Sequence, residues 1–415
     1  MKRLVLPQYS WYEDKEIPIE FPDDWIVEFH SVPGDRWPAL KAEDIAMRIR
    51  SPIGAPRLSE MACGKQRVVI LFDDISRPTP TYDLVPPLLE ELHAAGIKDD
   101  QIQFIAALGA HGAHSRIEFA KKLGEDIVRR YPVYNHNCYE NNVIVGKTSK
   151  GTEVAVNSEY WRCDLRIGIG SVIPHPYTGF SGTGKIVVPG ISSIDTTANT
   201  HFEASVGARE KGLNPVTGLG KWEESDMRKE VEEIALMAGP DFVLQALVGT
   251  RRQLIGLTSG HPVAAYHAAV EQALKAYVTQ KASNMDVVVA NASAKACEGV
   301  IALLMGVQSV KESGGDVVVI SHSPTGQITH YLLSPFGRMS AAGRFCSRGT
   351  SLPANVGRVI VYSPYPSYAD AEWFAPTDKV VWATTWQEVL DLLGDHGPGT
   401  KAAVYEDATM MYLSE

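Results

Sequence analysis

Hydrophobic residues fall along this chain in two series of short continuous runs. Each run is followed by a polar turn rich in glycine or proline, and then by a stretch with helical spacing. In the first series, residues 68–72 (VVILF) form an apolar run without alternation, which predicts a strand buried on both faces. The chain then turns abruptly through Asp73, Asp74, Arg77 and two prolines, and a helix is predicted over 82–95, stopped by Gly96. QIQFIAALGAHGAHS repeats the pattern, with a strand to Ala107 and a glycine-rich turn carrying His111 and His114. A helix near 116–123 follows, and DLRIGIGSVIPHPYTGFSG repeats it a third time, with His175 just past the strand. Short strands at 3–7 and 24–31 and a helix from Ala39 precede this series. Residues 203–260 read as helical and loop-rich around the amphipathic segment ESDMRKEVEEIALMAG, and a long helix is expected from His261.

The second series is MDVVVANAS, a helix over 295–309, GDVVVISHSP, GRVIVYSPYP and KVVWATTWQEVLDLLG, closed by AAVYEDATMMYL as a strand pair. Strands alternating with helices predict an α/β fold of two α/β domains with mainly parallel sheets and the active site in the cleft between them. The expected division is an N-terminal domain over 1–265, a C-terminal α/β domain over 266–405 and a tail over 406–415. In open parallel sheets, ligands bind past the carboxyl ends of the strands. Asp74 with Arg77, His111 and His175 all lie at that edge, so they converge on one site if their strands share a sheet.

Composition narrows the function classes. The 415 residues are 45% hydrophobic and 21% charged, as in an ordinary globular protein. A net charge of −10 argues against nucleic acid or an anionic membrane as the main partner. The five cysteines (Cys63, Cys138, Cys163, Cys297 and Cys346) are scattered, which fits a reducing compartment and no zinc site. With no signal peptide and no run of membrane-spanning length, a cytoplasmic location is expected.

The stretch IPHPYTGFSGTGKIVVPGISSIDTTANTH, residues 173–201, concentrates the candidate chemistry. Glycine density around a single lysine points to backbone amides curled around an anion. Gly179-Phe-Ser-Gly-Thr-Gly184-Lys185-Ile186 nearly spells a phosphate-binding loop, which keeps a nucleotide hydrolase or kinase using Lys185 as an alternative. Ile186 stands where that loop needs a hydroxyl, and Pro189 where its helix should run. Two imidazoles across a pocket suit proton transfer at either face of one carbon or hydroxyl. Arg77 suits a carboxylate, Lys185 an amine nucleophile or covalent cofactor anchor, and His201 a metal ligand.

Taken together, Asp74-Ile-Ser-Arg77-Pro-Thr-Pro80, Gly109-Ala-His111, the run from His175 to Lys185 with Pro189-Gly190, and His201 resemble the motif series of the lactate racemase family. The resemblance covers roughly residues 1–300 and implies a racemase or epimerase of a 2-hydroxy acid. It implies a nickel-pincer nucleotide linked through Lys185, with nickel held also by His201. Ser181, Gly182, Thr183 and Gly184 would cradle the phosphate. His111 and His175 would alternate as acid and base, with Arg77 and Asp74 positioning the reactants. In the family's second domain a Gln and a Lys reach the substrate; here NASAKACEGVIALLMG lacks that pair, and Lys295 and Asn291, with Tyr177, are the candidate substrate contacts. The expected substrate is therefore a 2-hydroxy acid other than lactate, larger or with a second polar group. The partners implied are that acid and the enzymes that make the cofactor; the oligomeric state stays open. A non-catalytic cofactor carrier is the remaining alternative.

Overall fold

The computed structural model describes residues 1–203, 216–333 and 351–414; Cys346 lies outside them. The fold is mixed α/β, with two six-stranded sheets that carry most of the chain. Their strands, in chain order, are β1 (Ile26–His30), β2 (Val68–Asp73), β3 (Ile102–Ala107), β4 (Val133–Asn135), β5 (Leu165–Ser171), β6 (Phe242–Val248), β7 (Leu254–Gly260), β8 (Val287–Asn291), β9 (Gly315–Ile320), β10 (Val356–Tyr362), β11 (Val380–Ala383) and β12 (Lys401–Tyr405). The helices used below are α1 (Ala42–Arg50), α2 (Thr81–Ala94), α3 (Arg116–Leu123), α4 (Ile194–Glu203), α5 (Asp226–Ala238), α6 (Pro262–Ala276) and α7 (Val300–Gly306).

The first sheet has the order β7-β6-β5-β2-β3-β4 and is parallel except for the antiparallel pair β6 and β7. Every residue of β2, β6 and β7 is buried, as continuous apolar runs require when both faces are covered. In register, Asp73 lies opposite Ala107, so the turns bearing Asp74 and His111 leave the sheet side by side. The second sheet, β11-β10-β9-β8-β12-β1, is entirely parallel.

Three local expectations change. Residues 203–260 are not only helix and loop, because β6 and β7 extend the first sheet there. Their apolar runs lack alternation, and such a run reads equally well as buried helix. The helix expected over 295–309 breaks into a turn of 3-10 helix at Ala296–Glu298, then α7, then Val307–Ser309. Strand β1, assigned by sequence to the N-terminal unit, hydrogen-bonds along β12 in the second sheet, so the chain starts outside the sheet it next builds. In the closing segment, β12 joins that sheet while Tyr412–Ser414 pairs with Val278–Gln280. Among the described residues no helix is long and apolar enough to cross a membrane.

Candidate active site

The turn after β2 is built on a buried ion pair. Asp73 accepts a bond of 2.8 Å from Lys122 Nζ, and that ammonium also donates to the carbonyls of Arg77 at 3.0 Å and Thr79 at 2.9 Å. Lys122 is on α3 and is fully buried. The Thr79 hydroxyl donates to the same aspartate. A charge in that position is tolerable only because all three of its protons have acceptors. The brace fixes the loop that presents Asp74 and Arg77.

Asp74 turns its two oxygens to different partners. Oδ1 accepts from the Ser76 amide at 2.9 Å and from the Ser76 hydroxyl, while Oδ2 meets His111 Nδ1. Burial works against ionisation of Asp74, but His111 and Arg77 outweigh it and hold the carboxyl far below its usual range. A carboxylate at Nδ1 requires a proton there, which leaves the lone pair of neutral His111 on Nε2. The His111 turn is tied to the lysine loop, because the Gly109 amide donates to the Gly190 carbonyl at 2.8 Å. Gly109 has φ +58°, and a Cβ there would lie 2.9 Å from Pro189.

His175 lies in a two-stranded hairpin, Pro174–His175 with Gly179–Phe180, beyond the end of β5. Its Nδ1 accepts from the Tyr177 amide at 3.2 Å, which places the proton of the neutral ring on Nε2. Burial, followed by the cations of Lys185 and Arg77, pushes His175 well below the usual range. The Tyr177 ring stands between two histidines, 6.2 Å from the His175 ring and 5.6 Å from that of His201.

Lys185 follows the hairpin in a run of turns, and its amine is held well below its usual range by burial first and then by Arg77 and Arg228. Arg228, buried on α5, anchors this loop from behind by donating to the carbonyls of Thr183 at 2.8 Å and Phe180 at 2.7 Å. No helix follows Lys185 before α4, and the strands directly before it are the short antiparallel hairpin, so the context of a phosphate-binding loop is missing. His201 sits on α4, one helical turn past Thr197, whose carbonyl is 2.8 Å from Nδ1. That bond assigns the proton to Nδ1 and the lone pair to Nε2, the orientation of a metal-binding imidazole. Burial, followed by Lys185, brings its pKa down to about 3.

These groups line one cavity of about 310 Å³, reached from loops of both large sheets. Asp74, Arg77, His111, His175, Tyr177, Ser181, Gly182, Thr183, Lys185 and His201 all contribute to its wall, as expected from the sequence. The remaining candidates stand elsewhere. Gly184 packs behind the wall, where a Cβ would lie 2.5 Å from Val231. The Lys295 amine donates to the Pro174 carbonyl at 3.1 Å, bracing the His175 hairpin, and burial lowers it to about 7. Asn291 is occupied by structure: its amide donates to the carbonyls of Pro7 at 2.9 Å and Glu406 at 2.7 Å, and its oxygen accepts from Gln8. The Ser181 hydroxyl is committed to the carbonyl of Ser171 at 2.7 Å.

Glu298 and His330 are among the wall residues that escaped the sequence reading. Glu298 forms an ion pair with Arg77, and both are nearly buried. His330 lines the cavity with its ring 5.1 Å from that of His111. Glu298 stands three residues past Lys295, inside the segment already singled out. His330 carries no local signal, since its partner is 219 positions away.

Residues 12–213 match the lactate racemase N-terminal domain family. The chain is 27% identical over 254 residues to a lactate racemase from Thermoanaerobacterium thermosaccharolyticum, covering 60% of this chain and 58% of that protein. It is 28% identical over 226 residues to one from Lactiplantibacillus plantarum, covering 54% and 52%. The matching part thus spans little more than half the length of these relatives. The fold resembles the lactate racemase apoprotein from T. thermosaccharolyticum over 99% of this chain and all of that one, with TM-score 0.75 and 20% identity. A protein from Thermotoga maritima matches over 93% of this chain and all of its own, with TM-score 0.66 and 18% identity.

Proposed function

We propose that the chain is a member of the lactate racemase family and, within it, a cytoplasmic racemase or epimerase of a 2-hydroxy acid, dependent on a nickel-pincer nucleotide held in the cleft between two α/β domains. The observation that carries this reading is the convergence of His111, His175, Lys185 and His201 on one cavity, with the tautomers of the three histidines assigned by their hydrogen bonds. The residues fit the group. Lys185 is a buried amine whose hold on its proton is weakened by burial and by Arg77 and Arg228, the direction that acylation by a thiocarboxylate-type nucleotide needs. His201 offers Nε2 to a metal, with a carbonyl orienting the ring. Among the described residues, the buried hydroxyls of Thr183 and Ser171 have no hydrogen-bond partner, as donors awaiting a ligand would. When bound, the group supplies a reversible hydride acceptor.

The protein's own part is binding and proton transfer. Arg77 holds the substrate carboxylate, with Glu298 and Ser76 fixing the guanidinium. His111 takes the hydroxyl proton at Nε2, and Asp74 stabilises the resulting imidazolium. His175 donates a hydrogen bond from Nε2–H; to deliver that proton it would first take up a second proton at Nδ1, giving up the bond from the Tyr177 amide. The roles exchange for the opposite enantiomer, which requires His175 to release the Tyr177 amide. Maturation depends on the cofactor-synthesis enzymes; nucleic acid and membrane are not partners.

The test uses protein co-produced with those enzymes. Intact mass should show an adduct on Lys185, nickel should be present at about one per chain because a single His completes the site, and a single enantiomer of the substrate should lose optical activity. His201→Ala should keep the adduct and lose the nickel. Absence of both adduct and nickel, in a preparation where a known relative loads, would overturn the proposal.

A further inference from the structure

The N-terminal hairpin, Lys2–Gln8 with Lys15–Phe21, packs on the second sheet, where Leu6, Ile17, Ile19 and Phe21 share a core with Val287, Val289, Val318 and Ile320. Its loop is bonded to that sheet and reaches the first. On the near side the Gln8 amide donates to Asn291, the Tyr9 amide to Ser293 Oγ at 2.9 Å and the Ser10 hydroxyl to the His322 carbonyl at 3.1 Å. On the far side Trp11 meets the turn after β2, and its indole Nε1–H donates to the Arg77 carbonyl at 3.1 Å. The other polar atoms of Trp11 are also engaged, its amide with Asp14 Oδ1 at 3.2 Å and its carbonyl with Lys121. The residue is 7% exposed, with the Arg252 guanidinium 4.0 Å over the ring and a perpendicular Tyr82 ring at 6.4 Å. Its φ of +72° is a conformation that a bulky residue keeps only where the surroundings over-determine it.

The Arg77 carbonyl already accepts from Lys122 Nζ at 3.0 Å, so the indole is not needed to satisfy it. A second donor, delivered from the other half of the fold, fixes the direction of that peptide. The rest of Arg77 is held by its amide bond to the Asp74 carbonyl at 3.1 Å and by the contacts of Nη1 to Ser76 and Glu298. On the premise of the proposed function, in which Arg77 grips the substrate carboxylate, we infer that Trp11 is a positioning residue for Arg77, carried to the first sheet by a loop anchored on the second. The carboxylate takes no part in the bond changes, so a looser grip weakens substrate and transition state alike and shows in KM, not in kcat.

The test is Trp11→Phe, which keeps an aromatic ring under Arg252 and deletes the donor, beside Tyr12→Phe, which removes the same loop's 3.1 Å bond to Glu118 and leaves Arg77 untouched. Racemisation is followed with protein carrying the Lys185 adduct, on the best substrate among lactate, malate and 3-phenyllactate. Trp11→Phe should raise KM about three- to tenfold, the factor that one neutral hydrogen bond corresponds to, with kcat unchanged. Amide hydrogen exchange over residues 74–80 should quicken in the same variant, with or without cofactor, and Tyr12→Phe should show neither effect. If Trp11→Phe does not fold, benzothienylalanine at position 11, which puts sulfur in place of the N–H in a ring of the same shape, gives the same comparison. An unchanged KM, a loss confined to kcat, or equal effects in Tyr12→Phe overturns the inference and leaves the racemase reading intact. If the unaltered loaded protein turns over no 2-hydroxy acid, that reading falls, and unchanged exchange over 74–80 then overturns the positioning role by itself.

Discussion

Replacing Asp74 with Asn should reverse the tautomer of His111. The geometry leaves the new amide little choice. Its oxygen must take the place of Oδ1, because two donors converge there, the Ser76 amide at 2.9 Å and the Ser76 hydroxyl. Its NH2 group then faces His111 Nδ1 and compels that nitrogen to accept. The ring proton moves to Nε2, which can no longer take a proton from substrate. A serine protease triad suffering the same reversal loses about ten-thousand-fold in kcat, which is roughly 5.4 kcal/mol at 1.36 kcal/mol per decade. A similar loss is expected here, with KM little changed, because Arg77 keeps its contacts to Ser76 and Glu298. The assay is chiral chromatography of the substrate over time, normalised to the adduct and nickel content of each preparation. Nitrogen-15 NMR of the imidazole gives a second readout, in which the protonated nitrogen of His111 should change from Nδ1 to Nε2. A loss of less than tenfold at equal loading, or an unchanged tautomer, would refute the reasoning.

Lys122→Met should destabilise the protein by about 3–5 kcal/mol, since it removes the counter-ion of the buried Asp73; a urea midpoint close to that of the unaltered protein would contradict it. Gly184→Ala should cost at least about 2 kcal/mol, because φ is +86° and the new Cβ would lie 2.5 Å from Val231; thermal unfolding at fixed protein concentration is sufficient to see it. Acid should weaken the protein without cofactor well before its carboxylates titrate. His136 and His322 are lowered by burial to about 4 and His201 to about 3, so the folded state excludes protons that the unfolded chain takes up near 6.5. Their contribution is intact above pH 6.5 and is lost as the pH falls towards 4, at up to about 1.4 kcal/mol per pH unit for each group. Urea midpoints unchanged between pH 7.5 and 5.0 would count against it.

The first sheet was legible because its strands are local. A run such as VVILF or FIAA followed by a turn with Asp, Arg or His states both the strand and the chemistry at its end, and adjacency in a parallel sheet does the rest. The same reading failed at β6 and β7, whose apolar runs carry no alternation and read equally well as buried helix. It also failed at β1, because only the partner strand β12, nearly the whole chain away, makes a strand of it in the second sheet.

The two halves of the cavity differ in the same way. Asp74 and His111 are 37 positions apart on neighbouring strands of one sheet, and the motif that announces one sits beside the motif that announces the other. Arg77 and Glu298 are 221 positions apart and meet across elements of different sheets. A sequence search for substrate contacts in the second half therefore favours polar residues of the right type, and it selected Asn291 and Lys295. Those two are buried because they are structural: one bonds to backbone carbonyls of the N-terminal strand and the segment after β12, the other to the hairpin of His175. Three residues further on, Glu298 spends its charge on the Arg77 guanidinium. What marks a group as belonging to the site is the partner it faces, and for residues contributed by the second sheet that partner becomes visible only when the two sheets are assembled.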